Sequence, residues 1–130
     1  MNNSQLNEIA RTFNIPNYIG SFPCNKIPVM CCSNRYCYIL NTKPKNHSGE
    51  HWLAVKINSN KRTIKFFDSY GDPPEGCVLN SLQKVYPNYS IVFNTKELQK
   101  MDDTCGLWCL WFLWNNKMEI PEKKLKEFFM

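Results

Sequence analysis

The chain has no long hydrophobic run: the longest, Leu107 to Trp114, spans eight residues. A helix that crosses a bilayer needs about 20, so no segment reads as a membrane span. There is no charged-then-apolar leader either. Met1 to Ala10 is polar, and the expectation is a protein that is not secreted. No five like charges follow one another, no RNA-binding aromatic signature occurs, and no internal repeat is visible. Paired Cys-x-x-Cys knuckles, the usual mark of a structural zinc site, are missing too. The eight Pro and five Gly are scattered rather than periodic, which excludes collagen-like and low-complexity character.

What is present describes one compact globular domain over residues 1–130. Of the residues, 43% are hydrophobic, 14% aromatic and 21% charged. A chain of this length buries roughly two-thirds of its unfolded surface, enough for a core without metal or disulfide staples. Sixteen basic against eleven acidic side chains leave a net charge of +5. The excess falls on Lys43, Lys45, Lys56, Lys61, Arg62 and Lys65, and again on Lys117, Lys123, Lys124 and Lys126. Two readings stay open for both groups: a solvated face, or weak attraction to nucleic acid or acidic surfaces. Seven cysteines, an odd number, read as reduced thiols in a cytosolic or nuclear compartment. Cys31, Cys32, Cys37, His47 and His51 could be assembled into a zinc site only by force, so no metal is expected.

Apolar spacing predicts a helix over Asn3 to Phe13, followed by a Pro-punctuated connector, Asn14 to Pro28. Strands are expected at Tyr36 to Asn41, 51–57 and Ile64 to Asp68, with Asn58 to Lys61 as the turn between the last two. Further along, Val78 to Tyr86 has helical periodicity, Tyr89 to Phe93 reads as a strand, and helices are expected at Thr104 to Asn116 and Pro121 to Phe129. Pairing 51–57 with 62–68 around a four-residue turn makes cross-strand partners sum to 119. Leu53 then faces Phe66, Val55 faces Ile64, and His51 lies directly across from Asp68. A carboxylate accepting from one imidazole nitrogen fixes the tautomer and raises the basicity of the other. An ordinary cross-strand ion pair is the alternative.

The helix beginning near Cys105 is apolar around its whole circumference, so it is expected to be central and buried. Asp102, Asp103 and Thr104 supply cap candidates. Cys105 therefore falls at a helix N-terminus, where the dipole favours a thiolate, while Cys109 one turn later is expected to be an inert small hydrophobe. Gly106 would let a substrate backbone approach the sulfur closely. A basic imidazole, an orienting carboxylate and a helix-start thiol are the parts of an activated cysteine nucleophile. The Gln99 amide could donate toward an oxyanion beside the backbone N–H of Cys105.

These strings resemble a known family. Gly-Glu-His-Trp-Leu-Ala at 49–54, Phe-Phe-Asp-Ser-Tyr-Gly at 66–71 and Gln99 followed after five residues by Cys105-Gly106-Leu107 are similar to the adenovirus-type cysteine endopeptidases. They are especially like those of Polinton/Maverick elements and adintovirus-like relatives, and SUMO-specific proteases share the order. The segments 18–22 and 38–42 look like that family's loop after the first helix and its first strand. The resemblance implies a papain-like α+β fold, with a central helix carrying Cys packed on a mostly antiparallel sheet carrying His and Asp. It implies Cys105 as nucleophile, His51 as general base and acid, and Asp68 as its orienting partner. Gln99 and the Cys105 amide would form the oxyanion hole, and Trp52 and Gly106 would border a substrate channel. The implied role is cleavage of viral capsid and core precursors at small-residue, Gly-rich sites, in the host nucleus or cytoplasm and in the virion, by a monomer. Only 25 residues follow Cys105, so the family's C-terminal helices are expected to be missing or reduced. No cofactor is required by the sequence, and activation by DNA or a peptide stays open. Asn88 to Gln99 contains no cysteine to receive a disulfide-linked peptide activator. A ubiquitin-like-modifier isopeptidase and a catalytically silent basic module that binds DNA or capsid are the rival readings.

Overall fold

The computed structural model describes residues 3–28, 33–42, 51–95 and 105–114. Eight elements lie within them: α1 (Asn3–Thr12), β1 (Tyr18–Pro23), β2 (Arg35–Asn41), β3 (Trp52–Asn58), β4 (Thr63–Phe67), α2 (Gly76–Val85), β5 (Ser90–Phe93) and α3 (Cys105–Trp114). The strands form one sheet in the order β1-β2-β3-β4-β5. Its centre, β2 to β4, is antiparallel, and β1 and β5 join the two edges in parallel. The result is an α+β fold whose expected antiparallel pairing describes the central strands, with a parallel strand added on each side.

Period-two alternation separates two cores. Cys37 and Ile39 of β2, Trp52 and Ala54 of β3 and Phe67 of β4 point to one face, where they meet α3 and the inner side of α1. Tyr36, Tyr38 and Leu40, with Leu53, Val55 and Phe66, point to the other, which α2 covers with Val78 and Leu82. The sheet is thus sandwiched between α1 and α3 on one side and α2 on the other. On the α3 face Phe67 stacks on Phe112 at 4.9 Å between ring centroids. On the α2 face the Tyr86 hydroxyl, just past the end of α2, lies 2.9 Å from that of Tyr36 and 3.0 Å from that of Tyr38. Buried hydroxyls need partners, and this shared one ties the end of α2 to the first antiparallel strand.

Three expectations change. The connector 14–28 contains a strand: Tyr18–Pro23 pairs with β2, with an irregular register between Tyr18 and Ser21, and Gly20 there has φ +135°. A Gly and a Pro inside six residues hide the strand from pattern reading, because both are depleted in strand interiors. The segment similar to a loop after the first helix is therefore an edge strand. The hairpin register also differs. Ala54 pairs with Phe67, Val55 with Phe66 and Ile57 with Ile64, so partners sum to 121 rather than 119. The turn is Ser59 to Arg62, one residue later than Asn58 to Lys61, with Arg62 at φ +50°. A shift of two leaves every side chain on its expected face. The expected helix Pro121 to Phe129 lies outside the described residues, as do the cap candidates Asp102 to Thr104.

Replacing Tyr86 by Phe removes the acceptor and donor that two other buried hydroxyls share. Urea unfolding should show a loss of about 1–3 kcal/mol, larger than for Tyr36→Phe, which leaves the Tyr86 and Tyr38 hydroxyls paired.

Candidate active site

The site forms where β3 begins, β4 ends and α3 begins. Asp68 follows the last residue of β4, and Asp-Ser-Tyr-Gly folds there as a tight turn: the Gly71 N–H donates to the Asp68 carbonyl at 2.8 Å, with Gly71 at φ +78°. The Asp68 side chain closes the turn from inside, its Oδ1 accepting the Tyr70 N–H at 2.9 Å, an Asx-turn. The same Oδ1 accepts from His51 Nε2 at 2.7 Å. His51 is held by its own backbone, whose carbonyl accepts from the Thr42 N–H at 3.0 Å.

With partners summing to 121, the line of pairing carries His51 opposite Tyr70 rather than Asp68. The expected direct pairing is thus corrected to a diagonal one, which a long ring and a carboxylate still bridge. Tyr70 uses the position it gains: its ring stacks on the imidazole at 4.8 Å and 28°. Nothing in the sequence separated Tyr70 from an ordinary turn residue, since its role follows from the register.

Asp68 engages Nε2, which leaves Nδ1 for the thiol of Cys105, and a hydrogen bond between His51 and Cys105 is among the influences on the imidazole. Burial, the largest single influence, pulls the His51 pKa down. Hydrogen bonds to Asp68 and Cys105 and their negative charges outweigh it and hold the pKa at about 9. Cys105 is the first residue of α3 and 5% exposed, and its N–H, as one of the first four of a helix, has no intrahelical acceptor. Cys109 is fully buried, and burial with the nearby Cys105 and Asp68 raises its pKa well above the ordinary value. Burial likewise pushes Cys37 up to about 12.

The structure therefore brings His51, Asp68 and Cys105 together from three separate stretches of chain. Trp52 is 3% exposed, in the same core cluster as Cys105. That is a place beneath the site, not on the wall of an open channel. Gly106 is buried in α3, and Gln99 lies outside the described residues. Cys31, Cys32 and His47 also lie outside them. Among the described residues no three His, Cys, Asp or Glu converge on a point that could hold a metal.

Sequence reasoning missed Asn94. Its side chain accepts from the Asp68 N–H at 3.0 Å and donates to the Asp68 carbonyl at 2.7 Å. An Asn leaving an apolar strand reads as a turn residue, and no spacing rule ties it to Asp68, 26 positions earlier.

With this geometry in view, two comparisons agree. The chain is 29% identical over 128 residues to the protease of porcine adenovirus A serotype 3, covering 84% of this chain and 60% of the relative. Against the protease of snake adenovirus serotype 1 it is 25% identical over 129 residues, covering 85% and 62%. It resembles the adenovirus proteases in sequence. The chain spans about 60% of the length of these curated relatives. Among solved structures, the ASFV pS273R protease matches 95% of this chain and 58% of its own with a TM-score of 0.58 at 15% identity. SUMO protease Ulp1, with its catalytic cysteine oxidised to a sulfinic acid, matches 71% and 47% with a TM-score of 0.54 at 18% identity. The fold is that of Ulp1-like cysteine proteases. No protein-family model matches the chain.

Because the folded pKa of His51 lies above the ordinary 6.5, its pairing stabilises the fold fully below about pH 6.5. That contribution is lost as the pH rises through about 9. An NMR titration should find one of the two histidines near 9, and Asp68→Asn should lower that value by more than one unit. A His51 that titrates near 6.5 in the unaltered protein would contradict the described geometry.

Proposed function

We propose that the chain is a cysteine endopeptidase that works by acyl transfer. What carries the reading is the position of His51 between the Asp68 carboxylate and the thiol at the start of α3, and the sequence resemblance to adenovirus proteases supports it. His51, whose pKa is held at about 9 by Asp68 and Cys105, is the proton carrier, and the Cys105 thiolate is the nucleophile we assign. The Cys105 sulfur adds to the scissile carbonyl, and the oxyanion accepts from the Cys105 N–H and the Gln99 amide. As the C–N bond breaks, Nδ1 of His51 gives its proton to the leaving amine. A water then attacks the thioester, losing its proton to His51, and the carboxylic acid leaves as the thiolate re-forms. Asp68 keeps the ring oriented throughout, and stacked Tyr70 shields one ring face from water.

The substrates we assign are viral capsid and core precursors, cut at Gly-rich sites in the infected cell or the virion. Cys105 is 5% exposed, and small residues on either side of the bond would suit so confined an approach. The rival reading is an isopeptidase for a ubiquitin-like modifier, which the likeness in fold to Ulp1 favours. A Gly-Gly peptide cleaved faster than a folded ubiquitin-like conjugate supports the endopeptidase, and the reverse order supports the isopeptidase.

DNA is the activator we propose. A cleft of about 530 Å³ at the opposite end of α3 is lined by Arg35, Lys56, Lys61, Lys65 and Trp114, with no acidic side chain among its lining residues. Phosphates would be held there electrostatically, so affinity should fall steeply between 50 and 200 mM salt if several contacts form, as is general for such binding.

Cys105→Ala should abolish peptide cleavage with the circular-dichroism spectrum unchanged, and retained cleavage would overturn the assignment. Asp68→Asn should slow turnover on the order of 10²-fold, and its alkaline limb, expected at about 9 in the unaltered enzyme, should move to lower pH.

A further inference from the structure

We infer that Asn94 is a positioning residue of the active site, setting Asp68, and through it His51, by gripping both main-chain groups of Asp68. The inference rests on the cysteine-protease reading and adds a member that the sequence resemblance does not name.

Aromatic residues and cysteine aside, the polar residues that are buried as a whole among the described ones are Asp68, Ser69 and Asn94. All three are at one place. β4 and β5 run in parallel and their pairing ends at Phe66 with Phe93. One step further the strands diverge into the Asp68 turn, and the Asp68 N–H and C=O would be stranded in the interior at a cost. The Asn94 amide supplies what a further rung would: Oδ1 accepts from the N–H at 3.0 Å, and Nδ2 donates to the carbonyl at 2.7 Å. Each amide atom meets a partner of opposite kind, so the orientation of the amide is fixed. The carbonyl also receives the Gly71 N–H, so both main-chain groups of Asp68 are fully engaged. The carboxylate that meets His51 is thereby mounted on a main chain held from both sides.

Alanine and aspartate at position 94 separate positioning from mere folding. Aspartate can accept from the Asp68 N–H when ionised, but only its protonated acid also donates to the carbonyl. Asn94→Asp should therefore regain, as pH falls, what it loses at high pH, and Asn94→Ala should not. The readouts are peptide-resolved alkylation of Cys105 by iodoacetamide in the full chain, expressed relative to the unaltered protein at each pH, and the NMR titration of His51. We expect Asn94→Ala to lower the pH 6 alkylation rate at least tenfold and to lower the His51 pKa. Asn94→Asp should recover at least half of its own deficit between pH 8 and pH 5. A folded Asn94→Ala with unaltered Cys105 reactivity and an unaltered His51 titration overturns the inference. If Asn94→Ala does not fold, an Asn94→Asp deficit that is the same at pH 5 and pH 8 overturns it. If Cys105 in the unaltered protein reacts no faster at pH 6 than Cys77, the cysteine-protease reading fails at its root, and this inference with it.

Discussion

The Asp68 carboxylate is the constraint around which this end of the molecule is arranged. Residue 68 is 6% exposed, and a buried charge persists only where it is hydrogen-bonded and paired. One oxygen serves both demands, accepting the N–H of its own turn and the imidazole of His51. The turn keeps the carboxylate pointed back at the sheet edge, and the imidazole pairs its charge. Without the turn the charge would have no fixed direction. Without the imidazole it would be buried unpaired. The two cores enter through geometry: the sheet face packed on α3 sets how close the first turn of that helix comes to β3, and so whether a thiol can share the ring.

Much of this could be read from residue order, and the reasons differ between elements. α3 was legible because a run of eight apolar residues needs cover, which Cys109 to Leu113 find in full, and the central strands because alternation and turn residues agree. The catalytic candidates His51, Asp68 and Cys105 were legible because each carries chemistry in a recognisable local setting. The hairpin register was not, because the turn composition over Asn58 to Arg62 allows two loops, and both keep the apolar residues on the same faces. Hydrophobic pattern specifies register only modulo two residues. That ambiguity is what concealed Tyr70, whose stacking on His51 appears only in the true register. β1 was hidden by Gly20 and Pro23, and Asn94 by distance along the chain, since polar pairs brought together by a sheet leave no periodic trace.

The cysteines show how environment sorts one residue type into different tasks. Burial raises Cys37 to about 12 and Cys109 well above its ordinary value, as it raises Cys24 to about 12, where a neighbouring Cys77 adds to the effect. Such thiols are small hydrophobes at neutral pH. Cys105 is scarcely more exposed than they are, so accessibility does not set it apart. Its partner does: it is the cysteine that shares His51.

The way the three groups are mounted also limits how the gene can change in length. Each residue added to an α-helix turns everything beyond it by about 100°, so an insertion near the start of α3 would swing the thiol away from the ring while the rest of the helix stayed packed. One residue added to β3 or β4 would carry one side of the His51–Asp68 pair to the opposite sheet face. One residue added to each strand would keep the pair but turn both groups to the other sheet face, away from Cys105. The spacing from residue 51 to residue 68 can therefore drift at the Ser59 to Arg62 turn and not within the strands, whereas a segment that carries none of the three groups and spans no rung between them is free to lengthen.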